Sequence, residues 1–161
     1  VCSSDLVLLG IYTGILLSAF NARPLWNTSI LGPLFLASGL STGAAMIMLF
    51  SDKPEERHLF GKIDLMIIGT ELFLIIHLFM GFLASTQVQI DAAHLFLGGP
   101  YTMIFWIAVV FAGLIVPAIL EILELKGFHI PSKIAPLLVL GGGIMLRFII
   151  VYAGQASRYL Y

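Results

Sequence analysis

Residues 29–50 run for about 22 positions without one charged side chain. At about 1.5 Å per residue, a helix of that length covers about 33 Å, enough to cross the hydrocarbon core of a bilayer. Three further apolar stretches of similar length follow, at 63–84, 101–123 and 134–154, and a shorter one, 7–20, precedes it. A membrane-spanning β-strand needs only about 10 residues and strict alternation of apolar and polar positions. That alternation is absent here, so the sequence reads as all-α, a polytopic membrane helix bundle of about five transmembrane helices. Composition agrees. Hydrophobic residues make up 60% and charged residues 11%, with a mean hydropathy of +1.05, whereas soluble domains carry about 25% charged residues. There is no basic run, so no nucleic-acid partner is expected. The single cysteine, Cys2, leaves no internal disulfide and no thiolate cluster for zinc or iron–sulfur.

The connectors set an expected orientation. Residues 51–62, the most charged stretch, read as a solvated loop. Lys53, Arg57, Lys62, Lys126 and Lys133 fall on one side of the bundle, Arg23 and Arg158 on the other. The positive-inside rule makes the first side cytoplasmic. The 21–28 turn, the 85–100 connector and the C-terminus then face out, with Trp26, Tyr101, Tyr159 and Tyr161 near that interface. Within the spans, Pro117 should kink the fourth segment, a break tolerated where neighbours resatisfy the backbone. Gly39 and Gly43 are four apart and share a helix face, an arrangement that admits a neighbouring backbone. Gly141, Gly142 and Gly143 read as a close helix contact rather than a phosphate loop, because no strand precedes them and no Lys follows.

Ionisable groups inside a span are costly and usually face a bundle interior or a water path. Four stand out: Glu71, His77, Glu121 and Arg147. Asp64 and Glu71 are seven apart and lie on one helix face, so together they form a candidate proton path, Asp64 as its mouth and Glu71 as its inner station. Arg147 lies about 20 Å beyond Lys133, too deep for an interfacial anchor, and needs a carboxylate or carbonyl partner, Glu71 being the first choice. His77 reads as a packing histidine. Glu121 and Glu124, three apart, read equally well as an interfacial acidic face. On the first segment, Tyr12 and Asn21 offer a phenol and an amide, groups that hydrogen-bond a quinone carbonyl while an apolar slot takes its ring and tail. Haem is not expected in this sequence, because His58, His94 and His129 sit at segment edges or in loops and leave His77 without a second buried histidine.

Two longer motifs carry a family resemblance. YTGILLSAFNARPLWNTSILGPLFLASGLSTGAA and, downstream, GGGIMLRFIIVYAGQ resemble the central and C-terminal signatures of the NrfD/PsrC family, the polysulfide-reductase-type integral membrane subunits. The resemblance covers residues 7–155 and includes Arg147. It implies the last five of eight or more membrane helices in a bacterial or archaeal inner membrane, with a periplasmic C-terminus. It further implies electron exchange between menaquinone or ubiquinone and a periplasmic four-cluster iron–sulfur subunit. That subunit would in turn serve a molybdopterin or multihaem catalytic subunit. Tyr12 is the pocket residue the resemblance carries over, and Glu71 and Arg147 fall at inner polar positions that would couple protons to quinone chemistry. VCSSDL resembles the translation of a sequencing adapter, so residues 1–6 are expected to be a non-native leader and 7–161 the truncated transmembrane domain. An ion or solute transporter, and a passive membrane anchor for catalytic subunits, remain open as alternatives.

Overall fold

The computed structural model describes residues 8, 11–12, 14–19, 23–51, 53–128 and 133–157. Asn21, His129, Arg158, Tyr159, Tyr161 and the leader at 1–6 lie outside the described residues. Helix α1 is Leu31–Phe50, α2 Pro54–Leu83, α3 the short Gln87–His94, α4 Ile104–Leu125 and α5 Ile134–Ala156. Among the described residues there is no strand, and α1, α2, α4 and α5 are each long and apolar enough to cross a membrane. The expected first segment is described only in part. Leu8, Ile11, Tyr12 and residues 14–18 are helical.

The four long helices run alternately up and down and close into a ring. Helix α1 packs on α2 and α5, α5 packs on α4, and α4 closes back on α2. Polar contacts and aromatic packing tie the end away from the lysines. Phe79 on α2 and Phe105 on α4 meet edge to face at 5.7 Å, and Phe96 meets Phe105 at 5.0 Å. Trp26 donates its indole N–H to the Ile150 carbonyl at 3.1 Å, which pins the turn before α1 to α5. In lipid there is little hydrophobic drive between helices, so such close packing and interhelical hydrogen bonds carry the association.

The structure corrects three expectations. Residues from Pro54 onward are helix, not loop. Proline sits at the first helical position and Glu55 and Glu56 fill the first turn, where the helix dipole favours acids. The side chains of these first turns are mostly exposed. The 85–100 connector contains α3, which the Gly-Gly-Pro at its end obscured. Gly39 and Gly43 are both exposed, with no neighbouring backbone against them. Helix α1 packs instead through Ala37, Ser38, Ser41, Ala44 and Ala45. The close backbone approaches lie at other glycines: at Gly14, where a Cβ would strike the backbone of Gly32 on α1, and between Gly113 on α4 and Gly142 on α5, where a Cβ on either residue would strike the other's backbone. Upstream of Pro117, α4 is wound as a π-helix over Ile104–Ile115 before tightening to α-helix at Val116–Leu125. Proline lacks an N–H to continue the ladder, so a change of hydrogen-bond register falls beside it.

Candidate functional site

Ser38, Ser41, Asp64, Glu71 and Glu121 make a polar seam in an otherwise apolar bundle, each nearly inaccessible to solvent. Asp64 is 0%, Glu71 2% and Glu121 3% exposed. Three helices deliver them. Ser38 and Ser41 sit on the small-residue face of α1. Asp64 and Glu71 follow Gly61 and Ile68 along the buried face of α2. Glu121 follows Gly113 and Pro117 at spacings of four on α4, the face that packs inward.

The centre of the seam is Asp64. The Ser41 hydroxyl donates to its Oδ1 at 2.6 Å. The Glu121 carboxyl of α4 is its second polar neighbour. Asp64 Oδ2 and both oxygens of Glu121 receive no hydrogen bond from a donor group. Two carboxyl groups in contact can satisfy one another only when a proton sits between them, because a carboxylate accepts and only the acid form donates.

Glu71 lies two helical turns, about 10 Å, further along α2. Its Oε1 also lacks a hydrogen-bond partner, and both Asp64 and Arg147 act on it electrostatically. Arg147 makes no ion pair within 4.0 Å with Glu71. Its Nη1 donates instead to the Gly143 carbonyl one turn back, at 3.2 Å. The guanidinium rests beside Gly39, where a Cβ would lie 3.7 Å from Nη2. Gly39 thus makes room for the arginine rather than for a backbone.

Asp64, expected at the mouth of the path, is fully buried, because α2 begins at Pro54 and carries Asp64 about 15 Å inside its own N-terminus. A cavity of about 320 Å³ at the lysine-rich end is lined by Met48, Pro54, Arg57, His58, Gly61, Glu121, Glu124, Leu125, Ala135 and Pro136. Arg57 and Glu124 pair across it at 3.4 Å. Glu121 thus joins the cavity to the seam. The signal that marks it in the sequence is its register with Gly113 and Pro117, not its spacing from Glu124. His77 is exposed, with its ring against Phe73 at 4.1 Å and Nδ1 3.2 Å from the Phe73 carbonyl. Tyr12 is 55% exposed, on the helical stretch whose Gly14 packs against Gly32. Leu8, Ile15 and Leu16 share its open face, so a phenol stands in the middle of an apolar stripe.

These features define a multi-pass helical membrane protein with a buried polar seam. Residues 6–157 match the family described as Polysulphide reductase, NrfD, and the protein belongs to that family. It is 37% identical over 160 residues to "Protein NrfD" of Escherichia coli, covering 94% of this sequence and 50% of that protein. It is also 37% identical, over 162 residues, to "Protein NrfD homolog" of Haemophilus influenzae, covering 92% and 50% respectively. To the C subunit of the polysulfide reductase of Wolinella succinogenes it is 37% identical over 159 residues, covering 91% and 50%. The sequence spans about half the length of these curated relatives. No solved structure matches it.

Proposed function

We propose that this protein is part of the quinone-interacting membrane subunit of a respiratory oxidoreductase. In the reaction, a quinol gives up two electrons and two protons, or a quinone takes them up. The electrons pass to or from the iron–sulfur clusters of a periplasmic partner, which serves a molybdopterin or multihaem catalytic subunit. The observation that carries the reading is the buried Glu71, an ionisable group in the middle of a span with an oxygen that finds no hydrogen bond. Such groups are retained where they serve an ion or proton pathway.

The protein's own residues divide the work. Tyr12 offers a phenol O–H to a quinone carbonyl, and the apolar stripe of Leu8, Ile15 and Leu16 suits an isoprenoid tail. Asn21 is assigned an amide donor to the same group. Menaquinone or ubiquinone, when bound, supplies the two-electron redox chemistry. Glu71, with Asp64 behind it and Arg147 within electrostatic reach, holds and moves protons. The Lys53, Lys62, Lys126 and Lys133 end is cytoplasmic by the positive-inside rule. The C-terminus is then periplasmic, in a bacterial or archaeal inner membrane.

The test is Glu71→Gln in the full-length protein. Quinone-linked turnover should fall on the order of tenfold or more, a modest loss for a proton-transfer group, while the complex still assembles. Unchanged turnover would remove Glu71 from the mechanism.

A further inference from the structure

We infer that the cavity at the lysine-rich end is a water-filled vestibule, and that Glu121 is the carboxyl that passes protons between its water and Asp64. This inference rests on the proposed proton role of the seam and adds its inlet.

Three observations meet here. The cavity, about 320 Å³, is large enough for several waters. Its wall is polar where it matters, with Arg57 and His58 from α2 and Glu121 and Glu124 from α4. Glu121 is only 3% exposed yet lines the cavity, and neither of its oxygens receives a hydrogen bond from a donor group. Buried polar atoms without protein donors are the places where ordered water is found. The same carboxyl is a polar neighbour of Asp64, which does not line the cavity.

The route is therefore fixed by geometry. Glu124, the other cavity carboxyl, is engaged by Arg57 at 3.4 Å. Glu121 alone among the described carboxyls touches both the cavity and the seam. A hydronium in the vestibule gives its proton to the Glu121 carboxylate and leaves water. The Glu121 O–H then breaks as an Asp64 O–H forms, which returns Glu121 to the carboxylate. One proton moves inward and no redox partner is needed. The Ser41 hydroxyl holds Asp64 Oδ1 throughout, leaving Oδ2 open to the transfer. A bound metal cation suits the cavity poorly. Among the described residues no group of three or more His, Cys, Asp and Glu gathers there, and the Arg57 guanidinium opposes one.

Two readouts that need no quinone test the inlet in the full-length protein. Gly61 lines the cavity, and a Cβ there meets only Met48 Sδ at 3.8 Å, so Gly61→Cys fits without strain. In oriented membrane vesicles this cysteine should be modified by a membrane-impermeant maleimide from the lysine-rich side alone. Modification only from the opposite side, or from neither side, overturns the vestibule. The second readout is infrared spectroscopy in heavy water. The protonated-carboxyl band of the Asp64–Glu121 pair, which shifts on exchange, should change in frequency or intensity in Glu121→Gln and return in Glu121→Asp, which keeps the carboxyl. A band unchanged in Glu121→Gln overturns the role of Glu121. If both readouts come out as expected while Glu121→Gln and Glu71→Gln leave quinone turnover unchanged, the inlet stands and the proton role in quinone chemistry falls.

Discussion

Ser41 of α1 and Asp64 of α2 share a 2.6 Å hydrogen bond in the interior of the bundle, at 1% and 0% exposure. It links the first two long helices directly. Removing the hydroxyl leaves a buried carboxyl oxygen without its donor, which costs about 1–3 kcal/mol. Ser41→Ala should therefore lower the melting temperature of the purified protein in detergent. Ser41→Thr, which keeps the hydroxyl, should lose less. Equal losses in the two variants would show that volume, not the hydrogen bond, matters at this position.

Gly142 and Gly141 are neighbours with opposite surroundings. A Cβ at Gly142 would strike the Gly113 backbone, whereas at Gly141 nothing lies within 4 Å. Gly142→Ala must push α4 and α5 apart, and overpacking of this kind costs about 1–3 kcal/mol. Gly141→Ala should be neutral or stabilising by up to about 1 kcal/mol, because it removes a flexible residue from a helix interior. Thermal melts of the two variants side by side check the contrast. A Gly142→Ala protein as stable as Gly141→Ala would mean that the crossing is not tight.

The bundle is legible in the sequence because hydropathy and length act locally. Residues 29–50, 101–123 and 134–154 each match a helix to within a few positions. What escapes the sequence depends on partners. Pro54, Glu55 and Glu56 are a strong helix start, but charge density makes 51–62 look like a loop. Arg147 calls for a partner, and Glu71 is a chemically sound choice, yet its Nη1 hydrogen bond goes to the Gly143 carbonyl of its own helix. In sequence, Glu121 pairs most simply with its neighbour Glu124. Its contact with Asp64, 57 positions away (121 − 64), arises only when α2 and α4 close the ring.

Arg23 caps the far end of α5. Its Nη1 donates to the Gln155 carbonyl at 2.5 Å and to the Ser157 carbonyl at 2.9 Å. The last carbonyls of a helix have no partner within it and carry the negative end of its dipole, so a guanidinium suits them twice over. Arg23→Ala should leave these carbonyls to water and let the last turn fray, at a cost of about 0.5–2 kcal/mol. Hydrogen exchange read at Ala153–Ser157 should speed up by several-fold, with the amides in the middle of α5 unchanged. Uniform acceleration along α5 would instead point to loss of helix docking.

The Arg57–Glu124 pair crosses the cavity at 3.4 Å, with the arginine side chain 15% and the glutamate 40% exposed. Charges so placed are partly screened by water, and pairs of this kind contribute about 0–1 kcal/mol. A double-mutant cycle with Arg57→Ala and Glu124→Ala should give a coupling energy below about 1 kcal/mol by melting in detergent. The coupling should shrink further as salt is raised, since solvent-facing charges are screened within about 10 Å at 0.1 M. A salt-independent coupling of several kcal/mol would mean that the pair is sealed from water. That result would also contradict a hydrated cavity, because the two side chains line the same space as Glu121.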